Sequence, residues 1–117
     1  MPLVDVAYAS SVPELQLSTL SAVLPHLVSL VVECPEEPYD GNLRPGDVEL
    51  RFHQRSVYDS AGLDVLIEVR SRWFASRAED RDQRCERLRD AVVDAIGAHS
   101  VGVYLSLPVA GWAQNGQ

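Results

Sequence analysis

The sequence predicts an α+β fold in the order β-α-β-β-α-β, a four-stranded sheet with two helices on one face. Three features carry that expectation. Two central stretches alternate apolar and polar residues with a period of two, and two longer stretches repeat their apolar residues at helical spacing. A short apolar, β-prone segment stands near each end. At 117 residues the chain has room for one core, so residues 1–117 are taken as one domain.

The first strand is read over Leu3 to Ala9, with Leu3, Val4, Val6 and Tyr8 prominent and Asp5 its one charge. Ser10 and Ser11 offer capping oxygens and Pro13 suits a first helical turn, so a helix is expected to start there. Leu15, Leu20, Val23, Leu24, Leu27, Val28 and Val31 keep a helical period, while Pro25 predicts a kink or break. Glu33 to Asp47 holds three prolines and two glycines and reads as a long loop with a lid or interface role. Val48, Leu50 and Phe52 alternate with Glu49, Arg51 and His53 in a second strand. A turn over Tyr58 to Gly62 leads to a third, with Val65, Ile67 and Val69 on one face. Ala78 to Gly97 is read as the second helix. Its apolar stripe is Leu88, Ala91, Val92, Ala95 and Ile96, acidic residues crowd its start, and Gly97 stops it. Val101 to Leu107 closes the sheet before Pro108, and a short tail from Ala110 to Gln117 contains Trp112.

Composition removes several function classes. A net charge of −7 opposes nucleic acid as a partner, because phosphate binding needs a basic face. The longest apolar stretch, Leu20 to Val32, is interrupted by Ser21, Pro25, His26 and Ser29. It is also shorter than the roughly 20 residues of a membrane helix. No membrane partner is expected, no signal peptide is visible, and a cytoplasmic location follows. Cys34 and Cys85 have no companion ligands and read as thiols in a reducing compartment. The three histidines lack metal-ligand spacing, and no phosphate loop or Ser-His-Asp set is present, so chemistry without a cofactor is expected. All ten basic residues are arginine, as GC-rich bacterial genomes tend to encode. Without lysine, the aliphatic amine open to use as a base is the amino terminus itself.

Several short motifs lie on these elements in order. A strand opens directly after Pro2, and Val23-Leu24-Pro25-His26-Leu27 sits on the first helix. Arg51-Phe52-His53 lies on the second strand, Ser76-Arg77 leads into Glu79 to Gln83, and Val103-Tyr104-Leu105-Ser106 forms the last strand. Together they resemble the tautomerase superfamily. The resemblance covers nearly the whole chain and implies a homotrimer, no cofactor, and a proline exposed by removal of the initiator methionine. Such a secondary amine, desolvated and near arginine, can lose its proton near neutral pH and shuttle one between an enol oxygen and carbon.

The resemblance implies Pro2 as base and Arg77 as clamp for a substrate carboxylate; the plainer reading of Arg77 is a solvated helix-start residue. Tyr104 and His26 are the further catalytic candidates, and each is as readily a packing residue. Arg51, His53, Phe74 and Trp112 are candidates for substrate binding. Arg51 is equally well explained by an ion pair with Glu49, and Trp73, Phe74 and Trp112 by the pocket wall or a subunit interface. Val12 and Glu49 stand where the family places arginines, which suits a monoacid better than a diacid. The expected function is a tautomerase or isomerase of a small 2-keto acid. The alternatives are a hydratase, decarboxylase or dehalogenase of a three-carbon acid, and a non-catalytic oligomeric homologue.

Overall fold

The computed structural model describes residues 1–60, 62–97 and 99–116. Ala61, within the expected 58–62 turn, and Gln117, at the end of the expected tail, lie outside the described residues. The elements are β1 (Leu3–Tyr8), α1 (Glu14–Val32), β2 (Glu49–Gln54), β3 (Val65–Arg70), α2 (Ala75–Ala78), α3 (Arg81–Ile96) and β4 (Val101–Ser106). The sheet order is β2-β1-β3-β4. β1 runs parallel to β2 and β3 parallel to β4, while the central β1–β3 pair is antiparallel. Parallel neighbours need a crossover, and α1 and α3 supply the two.

Period two in the strands and period 3.6 in the helices bring one buried surface together. Val4, Val6, Val65, Ile67 and Val69 project from the two central strands and are fully buried. They meet Leu20, Leu24 and Val28 of α1 and Leu88, Val92 and Ile96 of α3. Each such side chain contributes about 1.5–3 kcal/mol on burial. By length and apolar composition α1 could cross a membrane. Here it lays its Leu20, Leu24, Val28 and Val32 stripe on the sheet.

Three local expectations are corrected. Ser10 and Ser11 do not cap α1; Pro13 is the N-cap residue, and no side chain hydrogen-bonds there. The serines instead form the corner of a turn closed by the Val12 N–H on the Ala9 carbonyl (3.0 Å), which tucks Val12 into the core. Pro25 does not break α1, which is continuous to Val32. The carbonyl it leaves without a donor belongs to Ser21 on the exposed side, where loss of the bond is tolerated. The expected Ala78–Gly97 helix is α3, which starts three residues later at Arg81 and follows a separate short helix, α2, that ends at Ala78. Asp80, just before α3, accepts a 2.6 Å hydrogen bond from Arg84 Nε, an i,i+4 pair.

Among the described residues the other face of the sheet has no helices, and it is charged. Asp5 Oδ1 lies 3.1 Å from Arg51 Nε and from His53 Nε2, and Arg70 Nη2 is 3.0 Å from Asp5 Oδ2. The expected Glu49–Arg51 pair is thus replaced. Arg51 is the register partner of Asp5, and directly opposed side chains are closer than neighbours two apart on one strand.

Partial burial alone would raise the Asp5 carboxyl. The His53 hydrogen bond and the charges of Arg51 and Arg70 outweigh it and hold Asp5 below its ordinary 3.8. A lowered folded value means stabilisation present above pH 3.8 and lost as pH falls through the folded value. Asp5→Asn is therefore expected to flatten the acid-side fall of unfolding free energy as pH drops below about 4. Urea titrations at stepped pH measure that slope, and an unchanged slope refutes the role of this cluster.

Candidate active site

The N-terminal end of β1, the C-terminal end of α1 and the loop before β2 border an open cavity of about 340 Å³. Met1 and Pro2 line it from the strand, and Ser29, Val32 and Glu33 from the helix. Glu37, Tyr39, Asp40, Arg44 and Asp47 line it from the loop, Ser71 and Arg77 from beyond β3, and Trp112 and Gln114 from the tail. Pro2 is half-buried at the root of β1, where its carbonyl accepts the Glu49 N–H at 3.1 Å. Gly46, at φ +88°, lies where a Cβ would come 3.4 Å from Gln114 Nε2, so loop and tail touch at the cavity.

Arg77 is 1% exposed. Its Nε donates to the Val32 carbonyl (2.6 Å), Nη1 to the Arg72 carbonyl (2.5 Å) and Nη2 to Glu37 Oε1 (3.0 Å). Arg84 is buried beside it, with Nη1 donating to the carbonyls of Val31 and Glu33 at 2.7 Å each. The last carbonyls of a helix lack internal partners and carry its negative end. α1 has no basic residue in its own last turn, so these two guanidinium groups cap it from another part of the chain. Arg77 is thus neither solvated nor free: most of its donors hold the frame of the cavity. Phe74 stands behind it, its ring 5.4 Å from the Arg77 guanidinium carbon and 5.3 Å from that of Arg72.

Arg44 is the looser cation, its side chain 66% exposed and 3.5 Å and 3.7 Å from Asp40 and Asp47 carboxylate oxygens. The Asn42 N–H on Asp40 lowers that carboxyl, and Arg44 adds to the effect. The wall thus carries four carboxylates, Glu33, Glu37, Asp40 and Asp47, against the two guanidinium groups of Arg44 and Arg77.

Of the residues singled out from sequence, Pro2, Arg77 and Trp112 share this cavity. Trp112 is half in solvent and donates from Nε1 to Gln114 Oε1 at 3.1 Å. His26 is exposed on α1 and reaches the cavity wall only through Tyr39. Phe74 backs Arg77. Arg51, His53 and Tyr104 lie on the bare sheet face, Tyr104 beside Asp5, His53, Leu66 and Glu68. Within one chain they are on the opposite side of the sheet from the helices. Tyr39, Arg44 and Arg84 were missed. Arg84 had a signal, since it continues the Leu88, Val92, Ile96 stripe one turn back. The loop residues had none.

No family model matches the chain, and no curated protein matches it. Solved structures do. Malonate semialdehyde decarboxylase, described with decarboxylase and hydratase activities, is similar at TM-score 0.68 and 17% identity, over 98% of this chain and 92% of its own. MIF2 of Leishmania major is similar at TM-score 0.58 and 18% identity, over 96% of this chain and 93% of its own. A fused 4-OT forming a symmetric trimer is similar at TM-score 0.60 and 17% identity, over 91% of this chain and 85% of its own.

Proposed function

We propose that this chain, which has the tautomerase-superfamily fold, is a cofactor-independent tautomerase interconverting the enol and keto forms of a small 2-keto acid. The observation that carries the reading is that Pro2 and the buried Arg77 line one cavity. Removal of Met1 turns the Pro2 nitrogen from an amide into a secondary amine and clears the space that Met1 fills. Partial burial and the Arg77 charge disfavour the protonated amine while the wall carboxylates favour it, so base and conjugate acid are both accessible and the nitrogen can take a proton from carbon and return it. The Arg77 charge attracts the substrate carboxylate, and Arg44, weakly held by Asp40 and Asp47, supplies the free N–H donors. With the Arg77 donors largely engaged, Arg44 is the loosely held cation on the wall, and a second substrate carboxylate would meet the wall carboxylates instead, which favours a monoacid. Ketonisation of phenylenolpyruvate by protein shown to lack Met1 tests the reading, and absence of turnover refutes it.

The likeness to the decarboxylase and hydratase, at TM-score 0.68, favours one second reading. Protonated Pro2 and Arg77 would then act together on a three-carbon acid, and turnover of acetylenic or haloacrylic acids would exceed enol turnover. Retention of Met1 in the native protein would instead favour a non-catalytic homologue.

The proposal includes a homotrimer. Leu66 and Tyr104 are 37% and 62% exposed on the bare sheet face. A standard interface of about 800 Å² per partner would cover them. Light scattering coupled to size exclusion is expected to give three times 12.9 kDa, and a concentration-independent 12.9 kDa refutes it.

A further inference from the structure

Tyr39 stands on the cavity wall with its hydroxyl 2.7 Å from His26 Nδ1. The two rings meet edge to face at 5.4 Å between centroids, and the Tyr39 N–H donates to Glu33 Oε2 at 3.2 Å. Backbone, ring and hydroxyl are each held, so the phenol oxygen has a set position in the loop. His26 is on the outside of that wall, exposed and one turn before Ser29, which itself lines the cavity. The pair therefore joins the cavity that contains Pro2 to bulk solvent through two groups that exchange protons.

We propose that Tyr39 is the acid–base group serving the substrate oxygen, and that His26 is the positioning residue that orients its hydroxyl and exchanges its proton with solvent. The inference rests on the tautomerase reading above and adds the oxygen end of the proton transfer to the carbon end served by Pro2. In the enol-to-keto direction His26 begins neutral, with its proton on Nε2. The enol O–H proton passes to Tyr39 Oη as the Tyr39 proton passes to His26 Nδ1. The O–H electron pair becomes the carbonyl π bond, and the C=C pair takes a proton from protonated Pro2 to form the new C–H bond. His26 then releases its extra proton to water and Pro2 regains one. The net change is one proton moved from oxygen to carbon, and the reverse direction runs the same transfers backward. A hydroxyl placed at the developing charge acts on the transition state more than on the ground state, so its loss falls on kcat.

Tyr39→Phe keeps the ring and removes only the hydroxyl. With phenylenolpyruvate it is expected to lower kcat about 100-fold with KM nearly unchanged. His26→Ala is expected to lower kcat without moving KM. His26→Asn can hold the phenol but cannot accept its proton, so it is expected to stay below the wild type. Unchanged kcat in Tyr39→Phe overturns the proposal, and full activity in His26→Asn overturns the relay. A readout independent of turnover is the ζ-carbon NMR signal of Tyr39 in protein labelled with 13C-tyrosine, assigned by its loss in Tyr39→Phe and titrated with pyruvate. If the wild type turns over no enol acid, the tautomerase reading fails by itself. In that case a pyruvate-dependent shift of the Tyr39 signal supports its place at the ligand oxygen, and no shift overturns it.

Discussion

Pro2→Ala is expected to lower kcat for phenylenolpyruvate ketonisation about 100-fold or more, the range of a lost general acid–base group. The proline ring fixes its nitrogen relative to β1, because the Pro2 carbonyl is tied to the Glu49 N–H at 3.1 Å. An alanine terminus keeps an amine but lets it rotate away from the cavity and hydrate, which removes both its alignment and the burial that favours the free base. No lysine exists to take over. Mass spectrometry of both proteins must show Met1 removed, since a retained methionine leaves an amide nitrogen in each. Equal rates in the two processed proteins sink the proline mechanism, as does full turnover by a form that keeps Met1.

Arg77→Ala is expected to destabilise the fold by about 3–5 kcal/mol, the cost of breaking a buried charged network by removing one partner. The Val32 and Arg72 carbonyls would lose their donor inside the protein, and the negative end of α1 would lose one of its two cations. Against the total of about 5–15 kcal/mol typical of a domain, that is a large share. Arg77→Lys is not expected to rescue it, because a single ammonium cannot reach three acceptors spread around a planar fork. Denaturant midpoints of the three proteins measure the effect. A wild-type midpoint in Arg77→Ala, with only KM raised, would show that Arg77 serves substrate and not the frame.

The sequence by itself determined the elements and their faces. Period two at Val65, Ile67 and Val69 and period 3.6 at Leu88, Val92 and Ile96 are properties of short segments, and burial acts on them wherever they pack. Pro2 was singled out by the family resemblance together with the absence of lysine. Element boundaries were less legible: the serines at 10 and 11 were taken by the turn that buries Val12, and the second long helix starts at Arg81 instead of Ala78. The site was legible only in part. That Asp5 would gather Arg51, His53 and Arg70 depends on β1 lying between β2 and β3, a choice no local pattern encodes. The same holds for the capping of α1 by arginines more than 40 residues away, and for Tyr39, on the cavity that Pro2 also lines, meeting His26. The tertiary structure decided these, because a charge or hydroxyl takes its partner from whatever the packed chain brings within about 3 Å of it, and sequence spacing does not record that distance.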